Sequence, residues 1–131
     1  MPWHHPVRRM RISQAALGSG HVDDAERLLR RLALNDEESV GMVLASRSGS
    51  SADAPLRPKV DLLVRLGALV AMGAATTSLR STVELAMAAG ASESEIVGVL
   101  VAVGPAVGLA RVVSTAPKLA MAIGYDVEGD E

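Results

Sequence analysis

The chain contains no cysteine and no phenylalanine, and Trp3 and Tyr125 are its only aromatic residues. The first absence excludes disulfides, thiolate nucleophiles and thiolate metal ligands. The scarcity of rings removes the stacking platforms on which single-stranded nucleic acids are held. A basic excess, which a phosphate backbone requires, is missing as well, because the formal net charge is −2. Arg8, Arg9 and Arg11 make the one basic cluster, and near a terminus it reads as a solvated tail. Nor is there a long apolar run. The longest uncharged stretch, Ile96 to Ala110, has 15 residues and includes Pro105, short of the roughly 20 that a bilayer-spanning helix needs. SQAALGSGHVDDAE follows the basic N-terminal residues where a signal peptide would have an apolar core and cleavage site, so a cytoplasmic location is expected.

What is present is small and aliphatic. With 49% of its 131 residues apolar, a one-domain chain of this size can bury about two thirds of its unfolded surface. The helix signals recur and no stretch alternates convincingly as a strand does, which predicts an all-α fold of about six helices.

A first helix is read from Val22 to Leu34, with Asp23 and Asp24 in its first turn and Arg30 and Arg31 in its last. Asn35 with Glu38 resembles a cap and its reciprocal acid, opening a short second helix that carries Val40, Val43 and Leu44. SRSGSSADAP, residues 46 to 55, then reads as a mobile loop. Pro58 suits the first turn of a third helix reaching about Met72, whose buried face is Leu62, Leu66, Leu69 and Val70 and whose Asp61 and Arg65 pair one turn apart. Thr76, Thr77 or Ser78 would cap a fourth helix, in which Arg80 and Glu84 form a pair and which Gly90 ends in a left-handed conformation. Ser92 and Glu95 make a capping box before the apolar run Ile96 to Val103. Pro105 would interrupt that fifth helix, and a sixth would run from about Val107 to Ile123, kinked or split at Pro117. The resulting single domain has a tail at 1–20, N-terminal helices at 21–45, a loop at 46–57, a core at 58–124 and an acidic tail at 125–131. Because the fifth helix is apolar around its circumference, it must be covered on every side, and self-association through Gly98, Gly104 and Gly108 is the simplest cover.

No metal or cofactor is expected. His4, His5 and His21 have no sequence-local carboxylate or cysteine partner, and Pro2-Trp3-His4, which could hold copper or nickel if Met1 were removed, is a spacing that arises by chance at termini. The six methionines, Met72, Met87 and Met121 among them, read as gap fillers.

The segments LRPKVDLLVRLGALVAMGA, LRSTVELAMAAGASESEIVGVL and VGPAVGLARVV, in that order, resemble the carboxymuconolactone decarboxylase and alkylhydroperoxidase D superfamily over about residues 56 to 124. The resemblance implies an all-α oligomer, commonly a trimer or hexamer, built on a central antiparallel helical hairpin. The redox branch of that superfamily carries a glutamate, then two cysteines and a histidine near the start of the hairpin's second helix. Alignment on Gly90 sets Leu63 at the glutamate, Ala75 and Ser78 at the cysteines and Thr82 at the histidine. Thiol redox chemistry is therefore rejected, because a hydroxyl does not cycle through sulfenic acid or disulfide states. Threonine at the histidine position also counts against the decarboxylation, which needs a group titrating near the working pH.

What the resemblance leaves is a pocket near the fourth helix lined by hydroxyls of Ser78, Ser81 and Thr82, with Arg65, Arg80 or Arg111 as anion anchors. The substrate-binding set is Arg65, Ser78, Thr82 and Arg111, with no catalytic residue named. Each also has a plainer reading: Arg65 as a surface pair with Asp61, Ser78 as a cap, Thr82 bonded back to its own helix, Arg111 paired with Glu84. Two functions stay open. One is a non-redox protein of this type, a lyase, isomerase or binder for a small carboxylate or lactone; the other is a catalytically silent oligomeric scaffold.

Overall fold

The computed structural model describes residues 19–45 and 55–125. The arginine cluster, His4, His5, the Pro2-Trp3-His4 sequence, nearly all of the serine-rich loop and the tail after Tyr125 lie outside the described residues. The described elements are six helices: α1 (Ser19–Ala33), α2 (Glu37–Ala45), α3 (Pro58–Met72), α4 (Thr76–Ala88), α5 (Glu93–Val107) and α6 (Leu109–Ile123). The all-α expectation holds for them, and none is long and apolar enough to cross a membrane. A boundary between Ser46 and Arg47 separates two compact units.

In the first unit, α1 begins three residues before the expected Val22, which takes Asp23 and Asp24 out of its first turn. It ends with Asn35 in the left-handed region, φ 57°. The Asp36 N–H donates to the Arg31 carbonyl at 2.9 Å and the Asn35 N–H to that of Leu32 at 3.0 Å, the paired bonds of a left-handed helix end. Asn35 is therefore not the cap of α2. Asp36 is, because its Oδ2 accepts the Ser39 N–H at 3.0 Å and the Ser39 hydroxyl at 2.7 Å. A carboxylate is the stronger acceptor at a helix N-terminus, and asparagine tolerates the left-handed turn that precedes it. The hydrogen bonds from Ser39, side chain first and backbone second, hold the Asp36 carboxyl below its ordinary range. Ser39 is the buried residue of α2, while Leu29, Leu34, Met42 and Leu44 are exposed.

The second unit is a four-helix arrangement. Leu62, Leu66 and Val70 of α3 meet Leu79, Val83 and Ala86 of α4, and Ala91, Ile96 and Leu119 complete the buried cluster. The three-residue link after Met72 makes α3 and α4 an antiparallel hairpin. Each of these two helices then takes a second neighbour: α5 packs on α3, and α6 packs on both α4 and α5. Lys59 in the first turn of α3 reaches Glu95 in the first turn of α5 at 3.2 Å, so those helices run parallel. The Tyr125 hydroxyl, just past α6, donates to Glu93 at the start of α5 at 2.6 Å, so α6 runs back along α5.

Local chemistry accounts for most of the helix ends. Gly73, Gly90 and Gly124 end α3, α4 and α6 with positive φ of 69°, 100° and 96°, a region that only glycine enters without strain. Ser92 and Glu95 form the expected reciprocal box, with Glu95 N–H to Ser92 Oγ at 3.1 Å and Ser92 N–H to Glu95 Oε1 at 3.0 Å. Neither proline ends its helix, so the expected interruption at Pro105 and a split at Pro117 do not occur. Pro105 lies inside the last turn of α5 and Pro117 inside α6, and both helices continue through them. The carbonyls their missing N–H groups would have met belong to Val101 and Val113, residues that are 70% and 61% exposed. The break between α5 and α6 falls at Gly108, with φ 87° and ψ 167°.

Candidate functional site

An open, apolar groove of about 510 Å³ runs between α3 and α5. Val60, Leu63, Val64, Gly67 and Ala68 line it from α3, and Val99, Ala102 and Val103 from α5. Those positions recur every three or four residues on each helix, so each contributes one stripe, and the parallel course of the helices sets the stripes side by side. Gly67 brings them close. A β-carbon there would stand 3.3 Å from Val103 Cγ1 and 3.6 Å from Val99 Cγ1. Charges appear at the edges: Lys59 with Glu95, and Asp61 with Arg65, whose Nε donates to Oδ2 at 3.0 Å. The Ser92 backbone N–H, and then Lys59, lower the Glu95 carboxyl from its ordinary range.

None of the four residues read as substrate-binding lines this groove. Arg65 is half-buried and engaged by Asp61 as the sequence indicated. Ser78 is exposed in the first turn of α4, yet the cap position is Ala75, in extended geometry with no side-chain cap bond. The expectation that Thr76, Thr77 or Ser78 would cap α4 is thus corrected, since the helix already includes all three. Thr82 is half-buried, and it makes no side-chain hydrogen bond among the described residues. Arg80 and Glu84 are both exposed and form no ion pair with each other or with any other described residue.

Arg111 is the most informative of the four. It does not pair with Glu84 and makes no ion pair among the described residues. Its guanidinium instead occupies the space where a β-carbon of Gly73 would project, with Cζ 2.9 Å and Nη2 3.3 Å from that point. Helix α3 has no basic residue of its own in its last turn. Arg111 supplies a cation to that carbonyl-rich end from another helix, and glycine at position 73 leaves it room.

The groove was not among the residues singled out from the sequence. Its signal was present in the uncharged run from Ile96 to Ala110, but the matching stripe on α3 becomes visible only when the two helices lie parallel. Of the glycines read as permitting close contact, Gly104 faces Val112, whose Cγ2 would stand 3.6 Å from a β-carbon there, Gly98 faces open space and Gly108 ends a helix. Leu63, which the resemblance sets against the superfamily's glutamate, lines the groove, while Ala75, Ser78 and Thr82 do not. Compared with protein-family models, with curated proteins and with solved structures, the chain matches none.

Proposed function

We propose that this chain is a catalytically silent, self-associating helical scaffold of the carboxymuconolactone decarboxylase type, working through apolar helix faces. The observation that carries this reading is the lining of the α3–α5 groove, which presents valine, leucine, alanine and glycine and no group able to take up or deliver a proton. Leu85, Leu109 and Val113, at 54%, 80% and 61% exposure, add apolar surface on the same four-helix unit. A patterned chain leaves such residues uncovered where another protein surface covers them. Sedimentation equilibrium of the full chain tests the reading: a mass above one chain supports it, and a monomer at every concentration removes it.

A second reading, a binder of a small carboxylate or lactone, is favoured by Arg111, a half-buried cation with no ion-pair partner among the described residues. A carboxylate that binds there stabilises the folded chain in proportion to its affinity. A thermal-shift screen over small carboxylates and lactones, run beside Thr82→Val and Arg111→Ala, separates the two. A shift abolished by both substitutions establishes the binder, and no shift with any compound leaves the scaffold.

A further inference from the structure

We infer that the α3–α5 face is a two-fold contact, with the same face of a second copy of this chain seated on it. The inference rests on the scaffold reading and adds to it the surface, the partner and the symmetry.

Charge identifies the partner. The centre of the face, from Val60, Val64 and Ala68 on α3 across to Val99 and Ala102 on α5, carries no charge, and Val64 is 58% exposed. A phosphate backbone or a peptide of one charge sign would have to leave its charges unpaired there. Each rim pair, Lys59 with Glu95 and Asp61 with Arg65, offers both signs. A surface that is neutral at its centre and carries both signs at its edges is complementary to itself, which is what a two-fold contact requires.

Size agrees. Helices of 15 residues are about 22 Å long, and two lying about 10 Å apart span about 20 Å, so the face projects on the order of 450 Å². Two such faces remove on the order of 900 Å² before surface relief is counted, the size of a weak, concentration-dependent contact, below roughly 1,200 Å².

Gly98 supplies a third, independent indication. Glycine inside a helix is less stable than alanine, and a β-carbon at position 98 would meet nothing within 4 Å. Among the described residues nothing uses the missing side chain. A second backbone crossing α5 beside Ala102 does, because glycine lets it come closer.

The test uses the full chain. Val64→Lys adds a charge at an exposed position, so circular dichroism should be unchanged while the mass falls at least twofold toward the 13.6 kDa of one chain. Because the natural chain has no cysteine, Ala102→Cys introduces a unique thiol beside the two-fold axis. Mild oxidation should give a covalent dimer from it and not from Glu84→Cys on α4. A wild-type mass that is an odd multiple of one chain, an assembly unaffected by Val64→Lys, or equal cross-linking at both positions overturns the two-fold contact and leaves self-association standing. A monomeric wild type overturns both.

Discussion

Replacing Gly73 with alanine probes the placement of Arg111 directly. The backbone at Gly73 has φ +69°, where an L-residue costs about 1–2 kcal/mol. The new methyl group also enters the space of the Arg111 guanidinium. That group ends a flexible side chain and will swing away, so the collision itself costs little. What is lost is a cation at the end of α3, about 1 kcal/mol for a partly buried charge. Gly73→Ala should therefore lower stability by about 2–3 kcal/mol, and Arg111→Ala alone by about 1 kcal/mol. In the double variant the second loss has already occurred, so Gly73→Ala should there cost only about 1–2 kcal/mol. Urea unfolding followed by circular dichroism, with both single variants and the double, gives the coupling as the departure from additivity. Gly90→Ala is the control, since that glycine also has positive φ but a β-carbon there meets nothing within 4 Å. It should show no coupling to Arg111→Ala. Additivity of Gly73→Ala and Arg111→Ala within about 0.3 kcal/mol would mean that the guanidinium is not held at this helix end.

Three further outcomes are expected. Leu66→Ala empties a fully buried position in the α3–α4 hairpin and should cost about 2–5 kcal/mol in the same urea titration, whereas Leu44→Ala, at a position 81% exposed, should leave the midpoint unchanged within error. Ser92→Ala removes the hydroxyl that accepts the Glu95 N–H and should cost about 1 kcal/mol. Glu95 has a carboxyl lowered by the Ser92 backbone N–H and by Lys59. A lowered folded-state pKa gives stability that is fully present above the ordinary glutamate value, near pH 4.3, and lost as the pH falls through the depressed one. Glu95→Gln should therefore flatten the acid side of the stability profile below about pH 4.3, and an unchanged slope would show that Glu95 does not contribute to it.

The parts of this fold that were legible in the sequence are those fixed by groups a few residues apart. Pro58 opens α3, Ser92 with Glu95 opens α5, and Gly90 closes α4, because each acts on its own backbone. Where two adjacent residues could play the same part, the reading went to the wrong one: Asn35 took the left-handed turn and left the cap to Asp36. The interruption expected at Pro105 and the split at Pro117 are absent for a physical reason. A proline costs a helix its hydrogen bond most heavily where the freed carbonyl is buried, and Val101 and Val113 are exposed. The candidate site was harder to read because it is non-local. The neighbour of Arg111 is the end of α3, a partner with no side-chain charge to mark it in the sequence, where Glu84 is the acidic residue that offers itself. The groove needs α3 and α5 in parallel register, which follows from the Lys59–Glu95 contact and the close seat at Gly67. In the first unit the apolar spacing of α1 identified a helix, but it did not reveal that Leu29 and Leu34 would stand 68% and 77% exposed.

A chain that works by covering its own apolar helix faces has to be larger in solution than one copy. Sedimentation equilibrium of the wild-type protein over a wide concentration range, with Val64→Lys alongside, reads this directly. A wild-type mass above 13.6 kDa, an even multiple of it if the contact is two-fold, with a lower mass for the variant, is the outcome predicted, whereas a single-chain mass for both at every concentration would contradict it.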